Sequence, residues 1–304
     1  MLASKYQERY PSAIVTHKLS SFPRPFIITV GVPKGGANKT WTTLNVASQF
    51  GLWGYDVLAI DTNAQHDLYK DWHDIALDGL WPRFEVIWHQ PFDKNDEQAP
   101  LLDLTPHAHR QFIFYDTGQY YQLKTTRWAW MNCHALILPV SPNMDQLGNF
   151  ENGIETYHAL PGKKGPIIVL PCQAKVLKNS KAQERFQDIL PKFEKMGCLV
   201  PKRANGEFYG QRDMVPLSEM GGLFTNRWMF AEATSGGALK RHSNDFILRV
   251  QLNIAWIRGH LESVYGWFPG PNLPPIDTSN REEMLRTLRT EYIKQFNKSG
   301  VPLG

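Results

Sequence analysis

Two lysines, a glycine pair and a threonine crowd into one stretch, Lys34-Gly35-Gly36-Ala37-Asn38-Lys39-Thr40. These residue types can hold a phosphate chain. Backbone N–H groups of a glycine-rich turn point inward at the anion, and a helix starting behind the turn adds about half a positive charge. Lys39 would reach the β- and γ-phosphates, and the Thr40 hydroxyl would hold Mg2+. Two carboxylates further along could complete such a site. Asp61 closes the apolar run Val57-Leu58-Ala59-Ile60, and Asp116 closes Phe112-Ile113-Phe114-Tyr115. Open parallel sheets bind ligands at the carboxyl ends of their strands, which is where both acids would lie.

A glycine pair flanked by lysines is equally a solvated turn when taken alone. The neighbouring elements favour the phosphate loop. The β-branched run Phe26-Ile27-Ile28-Thr29-Val30 precedes it, and a helix with Leu44, Ala47 and Phe50 on one face follows as far as Gly51. Strand, glycine loop and helix is the order that lets loop amides and a helix end converge on one anion. Further strands are expected at 56–61, 84–88, 112–116, 135–140 and 166–170, with a short seventh at 198–200. Helices are expected at 68–77, 144–159 and 180–196, the last capped by Ser180 and kinked or broken at Pro191. Residues 89–100 read as polar loop. The alternation predicts an α/β fold, a mostly parallel, doubly wound sheet of about seven strands flanked by helices. C-terminal helices follow at 245–265 and after Asp277, the second with a stripe of Met284, Leu288, Tyr292 and Phe296. Three regions result: an arm at 1–25, a phosphate-loop domain at 26–265, and a linker with a packed helix at 266–304.

The bulk properties narrow the function classes. At 304 residues with 42% hydrophobic content, the chain can bury a sizeable core. Cys133, Cys172 and Cys198 are far apart, without a C-x-x-C pair, which argues for reduced core cysteines and against a disulfide frame, a zinc site or an iron–sulfur reductase. The histidines form no ligand set for a transition metal. No stretch approaches a membrane span. A net charge of +4 permits contact with nucleic acid without demanding it.

The form K-G-G-x-x-K-T resembles the deviant phosphate loop of the ParA/MinD family of ATPases, which partition plasmids, chromosomes and other cargo. Further motifs follow in the family's order. Asp61-Thr62-Asn63-Ala64-Gln65 is similar to its D-x-D-P-Q stretch, Asp116-Thr117-Gly118 to its Walker B acid and switch, and Leu138-Pro139-Val140-Ser141-Pro142 to its P-v-x-P turn. The resemblance runs from about Phe26 to about Gly222 and implies roles for matching residues. Gly35, Gly36, Ala37, Asn38, Lys39, Thr40 and Trp41 would contact ATP or ADP. Thr40, Asp61 and Asp116 would serve Mg2+. Lys34 would cross to a partner's nucleotide in a nucleotide-dependent homodimer. Asn63 stands where the family places a second acid that orients the attacking water. Around Asp71-Trp72 and Leu80-Trp81-Pro82-Arg83-Phe84-Glu85-Val86 the chain resembles the branch linked to conjugative DNA transfer, typified by the ParA-like protein of T-DNA transfer.

Three departures meet at one site. Asn38 replaces a glycine, Trp41 a small hydroxyl residue, and Asn63 the second acid. An amide can position a water but cannot accept its proton. The expectation is therefore a weak Mg-dependent ATPase with slow hydrolysis; the alternatives are a degenerate, non-hydrolysing scaffold and a metabolic kinase on the same fold. From Lys163 to Arg203 ten basic residues face three acids. They form either a solvated helix face or a surface for DNA phosphates, with Lys175, Lys178, Lys181, Arg185, Lys202 and Arg203 as candidates. The resemblance implies non-specific DNA and a ParB-like or transfer-complex protein as partners, and a cytoplasmic, nucleoid-associated location. The last helix is expected to dock on the domain and not on a membrane.

Overall fold

The computed structural model describes residues 25–31, 39–52, 55–63, 65–77, 84–89, 102–118, 124–140, 147–162, 165–172, 180–203, 205–208, 253–254, 256–262 and 264–265. Six strands are present: β1 (Phe26–Val30), β2 (Val57–Asp61), β3 (Glu85–Trp88), β4 (Phe112–Asp116), β5 (Ala135–Val140) and β6 (Ile167–Pro171). They form one sheet of order β3-β2-β4-β1-β5-β6, with every neighbouring pair parallel. Every residue of β1, β2, β4, β5 and β6 is buried, as expected for parallel strands covered on both faces. Among the described strands β3, at one edge, is partly exposed, with Glu85 and Trp88 open to solvent and Val86 buried.

The expected seventh strand is not formed. Leu199 makes a single parallel bridge to Ile168, its N–H donating to Ile167 O at 2.7 Å and its carbonyl accepting from Val169 N at 2.9 Å. One residue pairs, and among the described residues the sheet has six strands.

Among the described residues four helices link the strands, α1 (Lys39–Leu52), α2 (Asp67–Leu77), α3 (Lys124–Asn132) and α4 (Leu147–Ala159), and α5 (Ser180–Lys195) follows β6. Apolar residues on one sheet face cluster with Trp41, Leu44, Ala47 and Phe50 of α1 and with Leu68 of α2. Helical residues in 253–265, including Ile257 and Leu261, join that cluster. The other face packs Trp130 of α3, Phe150 and Ile154 of α4, and Phe193 of α5. The last expected helix, after Asp277, lies outside the described residues.

One helical expectation needs correction, and one helix was not expected. Helix α5 runs through Pro191 without a break. Leu190, Phe193 and Ile189 are buried on both sides of it, and this packing holds the helix across the missing N–H. Helix α3 has no counterpart among the sequence-based elements. Its buried stripe is Thr125, Thr126, Ala129 and Trp130, which carries little of the aliphatic periodicity that marks an amphipathic helix. A 3-10 turn at Thr105–His107 was likewise not legible.

Strand order creates the site. The crossover from β1 leads to β2, while the crossover from adjacent β4 leads to β5 on the far side of β1. Connections leaving two neighbouring strands in opposite directions open a crevice at their carboxyl ends.

Candidate functional site

Register places four residues in a row at that end of the sheet: Val30 beside Asp116, Asp116 beside Asp61, and Asp61 beside Trp88. The two carboxylates expected to act together are thus on neighbouring strands, and both are fully buried. Helix α1 begins above them. Thr40 Oγ1 donates to Asp116 Oδ2 at 2.7 Å, linking the start of α1 to the end of β4. Lys39 is also buried and close enough to Asp116 to feel its charge.

Burial dominates the electrostatics here. It pushes the Asp116 carboxyl up to about 7, helped by the charge of Asp61 and opposed by the Thr40 bond, Lys39 and Thr43. It pushes Asp61 up to about 6, against hydrogen bonds from backbone N–H groups. Burial lowers the Lys39 ammonium, with Asp116 working the other way. Two buried acids side by side cost free energy when both are charged, and a cation relieves that cost.

The donor set fits magnesium. A hydroxyl and two carboxylates are hard oxygen ligands, too few for an all-protein cage and suited to an ion that keeps waters and takes phosphate oxygens. Among the described residues no group of three or more His, Cys, Asp or Glu could hold a metal by itself. Thr40 would hold the ion, with Asp116 and Asp61 behind it.

Other residues brace this arrangement. Thr43 Oγ1 donates to Lys39 O at 3.0 Å and lies 3.4 Å from Asp116 Oδ1. Sequence reasoning missed it, although it stands on the same helix face as Thr40, three positions on. Thr62 sends both its N–H and its hydroxyl to Asp116 O, each at 2.9 Å. The Thr117 hydroxyl donates to Val30 O at 3.0 Å. A Cβ on Gly31 would lie 2.7 Å from Trp130 Nε1 and 3.2 Å from Thr117 Oγ1, so the chain leaves β1 through a gap only glycine fits without displacing its neighbours.

The remaining candidates fare differently. Lys34, Gly35, Gly36, Ala37 and Asn38 lie outside the described residues, as do Lys175 and Lys178. Trp41 is buried in the apolar cluster of the α1 face, so its side chain belongs to the core. Its backbone N–H, in the first turn of α1, is the part left for a ligand. Asn63 is half-buried, and its Oδ1 lies 3.4 Å from the Gln65 N–H. Lys181 and Arg185 fall in α5. Lys202 pairs with Glu194 at 2.6 Å and Arg203 with Glu207 at 3.5 Å, so both already face carboxylates. Cys133, Cys172 and Cys198 are free and buried, as expected. Among the described residues no helix is long and apolar enough to cross a membrane.

No family model and no curated protein sequence matches the chain. Solved structures do. The chain is similar to pNOB8 ParA, at 16% identity over 88% of this chain and 99% of that one, with a TM-score of 0.52. It is similar to an ATP complex of an McdA variant from Cyanothece, at 12% identity over 82% and 99%, with a TM-score of 0.51. The fold is that of the ParA/MinD P-loop ATPases. pNOB8 ParA bound to nonspecific DNA also matches, at 15% identity over 87% and 99%, with a TM-score of 0.48. In the ParA/MinD fold, the junction of Thr40, Asp61 and Asp116 falls at the carboxyl ends of β1, β2 and β4, where the crevice opens.

Proposed function

We propose that this chain is a ParA-like, nucleotide-switched ATPase, associated with DNA, that acts in partition or conjugative transfer of plasmid or mobile-element DNA. The observation that carries the reading is the 2.7 Å bond from Thr40 to Asp116 beside the buried Asp61. Lys39 neutralises phosphate charge from the start of α1, and Thr40 places one hard oxygen at the ion. Asp116 fixes the Thr40 hydroxyl, and Asp61 adds the second carboxylate. Magnesium held by Thr40, with Asp116 and Asp61 behind it, would supply positive charge against the charge that builds during phosphoryl transfer. Asn63 can orient a water but not take its proton, so turnover is slow while binding is kept.

Calorimetry with Mg-ATP tests the reading. The wild-type chain should bind, and Lys39→Ala should lose about tenfold or more in affinity, the size of one charge-assisted contact. Phosphate release should be slow. Equal, negligible binding by both proteins would instead favour a non-hydrolysing scaffold that binds DNA and a partner protein, the reading that Asn38 and Asn63 support.

DNA contact rests on the basic surplus between Lys163 and Arg203 and on the likeness to pNOB8 ParA, which is described bound to nonspecific DNA. Binding to an unrelated duplex should fall by at least about tenfold between 50 and 200 mM salt. No gel shift at low salt would remove this part. A homodimer with Lys34 in the partner's site, a ParB-like or transfer-complex partner, and a cytoplasmic, nucleoid-associated location complete the proposal.

A further inference from the structure

Helix α2 has an unusual start. His66 stands at its N-cap, because its carbonyl accepts the first helical bond, from Lys70 N at 3.0 Å. An N-cap residue ordinarily has extended backbone and turns a side-chain oxygen onto the N–H of the second or third helical residue. His66 does neither. Its φ is 46°, in the left-handed region. Its ring lies against Trp88, 4.7 Å between centroids.

A side-chain oxygen for the first turn comes from the sheet. Asp61, at the end of β2, accepts the N–H of Tyr69, the third helical residue, on Oδ2 at 3.0 Å. Leu68, the second, also contributes a backbone N–H to this carboxylate. Oδ1 accepts the Asn63 N–H at 2.8 Å. A fully buried carboxylate eight residues upstream therefore anchors both the β2–α2 connection and the first turn of α2. The same carboxylate borders Asp116 in the ligand row. It has two positive neighbours to serve: the helix end, with about half a charge, and any divalent cation at Thr40 and Asp116.

We propose that Asp61 is a positioning residue that couples occupancy of the magnesium–phosphate site to the anchoring of α2. This rests on the nucleotide-binding reading above. When a cation draws on the Asp61 carboxylate, its bonds to Tyr69 and Leu68 weaken and the first turn of α2 loosens. His66 and the exposed Trp88 carry that change to the surface at the sheet edge.

Hydrogen exchange on the full chain tests this, following the amides of 67–72 without ligand and with Mg2+ plus a non-hydrolysable ATP analogue. Loading should speed exchange at Leu68 and Tyr69 by about fivefold, the factor for one lost capping bond. Asp61→Asn, which keeps one acceptor oxygen, should exchange at the faster rate before loading and gain little on loading. A purely structural cap would respond to the substitution and not to the ligand. Trp88 emission, taken as the difference between wild type and Trp88→Phe, should change on loading in the wild-type background only. Unchanged or slower exchange while calorimetry shows the nucleotide bound would overturn the coupling alone. Wild-type protection in ligand-free Asp61→Asn would overturn it too. No nucleotide bound would overturn both the coupling and the functional reading.

Discussion

Asp116→Asn should make the ligand-free protein more stable at neutral and alkaline pH and at the same time abolish stabilisation by Mg-ATP. Burial raises this carboxyl from 3.8 to about 7 in the folded chain. The folded state therefore holds a proton that the unfolded state releases. Stability drawn from this group is highest below about pH 4, falls as pH rises from 3.8 towards 7, and stays low above that. Asparagine cannot ionise, so it removes the penalty, which is on the order of a few kcal/mol. The two proteins should differ least near pH 4 and most at pH 7 and above. Asp61, raised from 3.8 to about 6, adds a smaller decline over an overlapping window. The magnesium response should run the other way, because asparagine offers no charge to the ion. Thermal melts across pH 4–8, with and without Mg-ATP, read both effects. A variant that melts below wild type at pH 8 without ligand would show that Asp116 stabilises the fold in its charged form, contrary to this account.

Gly165→Ala should cost roughly 3 kcal/mol or more, near the upper end for a single overpacking change. A Cβ there would lie 1.9 Å from the carbonyl oxygen of His134 and 2.8 Å from Ala135 N, backbone atoms at the start of β5 that cannot swing away. That backbone is fixed by several bonds. His134 N donates to Ile27 O at 2.7 Å, Ile27 N donates to His134 Nδ1 at 2.9 Å, and the Tyr265 hydroxyl donates to His134 O. His134 must be neutral to accept from Ile27, and burial holds it there by lowering its ionisation to about 4. The added methyl would push the start of β5 away from the segment that enters β6. Gly148→Ala is the control, because a Cβ there meets nothing within 4 Å. It should be neutral or stabilising by up to about 1 kcal/mol. Urea unfolding of the two variants gives the comparison. Equal midpoints would mean that residue 165 does not rest on β5.

Much of this was legible in the chain because the signals are local. Apolar runs ending in an acid marked β2 and β4, and the lysine–threonine pair after a strand marked the start of α1. Thr40, Asp61 and Asp116 could be named as one site because strand ends share an edge of any open parallel sheet. Element bounds moved by a residue or so, as at Val57 and Ile167. Where the signal was weak, sequence reasoning failed for identifiable reasons. Half of the buried stripe of α3 is threonine, and Pro191 sits in a helix held by packing on both sides.

The sequence by itself determined the residue types, their order, and the period-based elements that carry them to one edge. Only the tertiary structure decided which strands are neighbours. Pairing and register are set by packing over the whole sheet, not by any single run of residues. That choice put Asp61 beside Asp116, raised both carboxyls by shared burial, and turned Trp41 into the core. It also gave Asp61 the N-terminus of α2 to hold, through the Tyr69 N–H on its Oδ2, and set the His66 ring against Trp88 of β3.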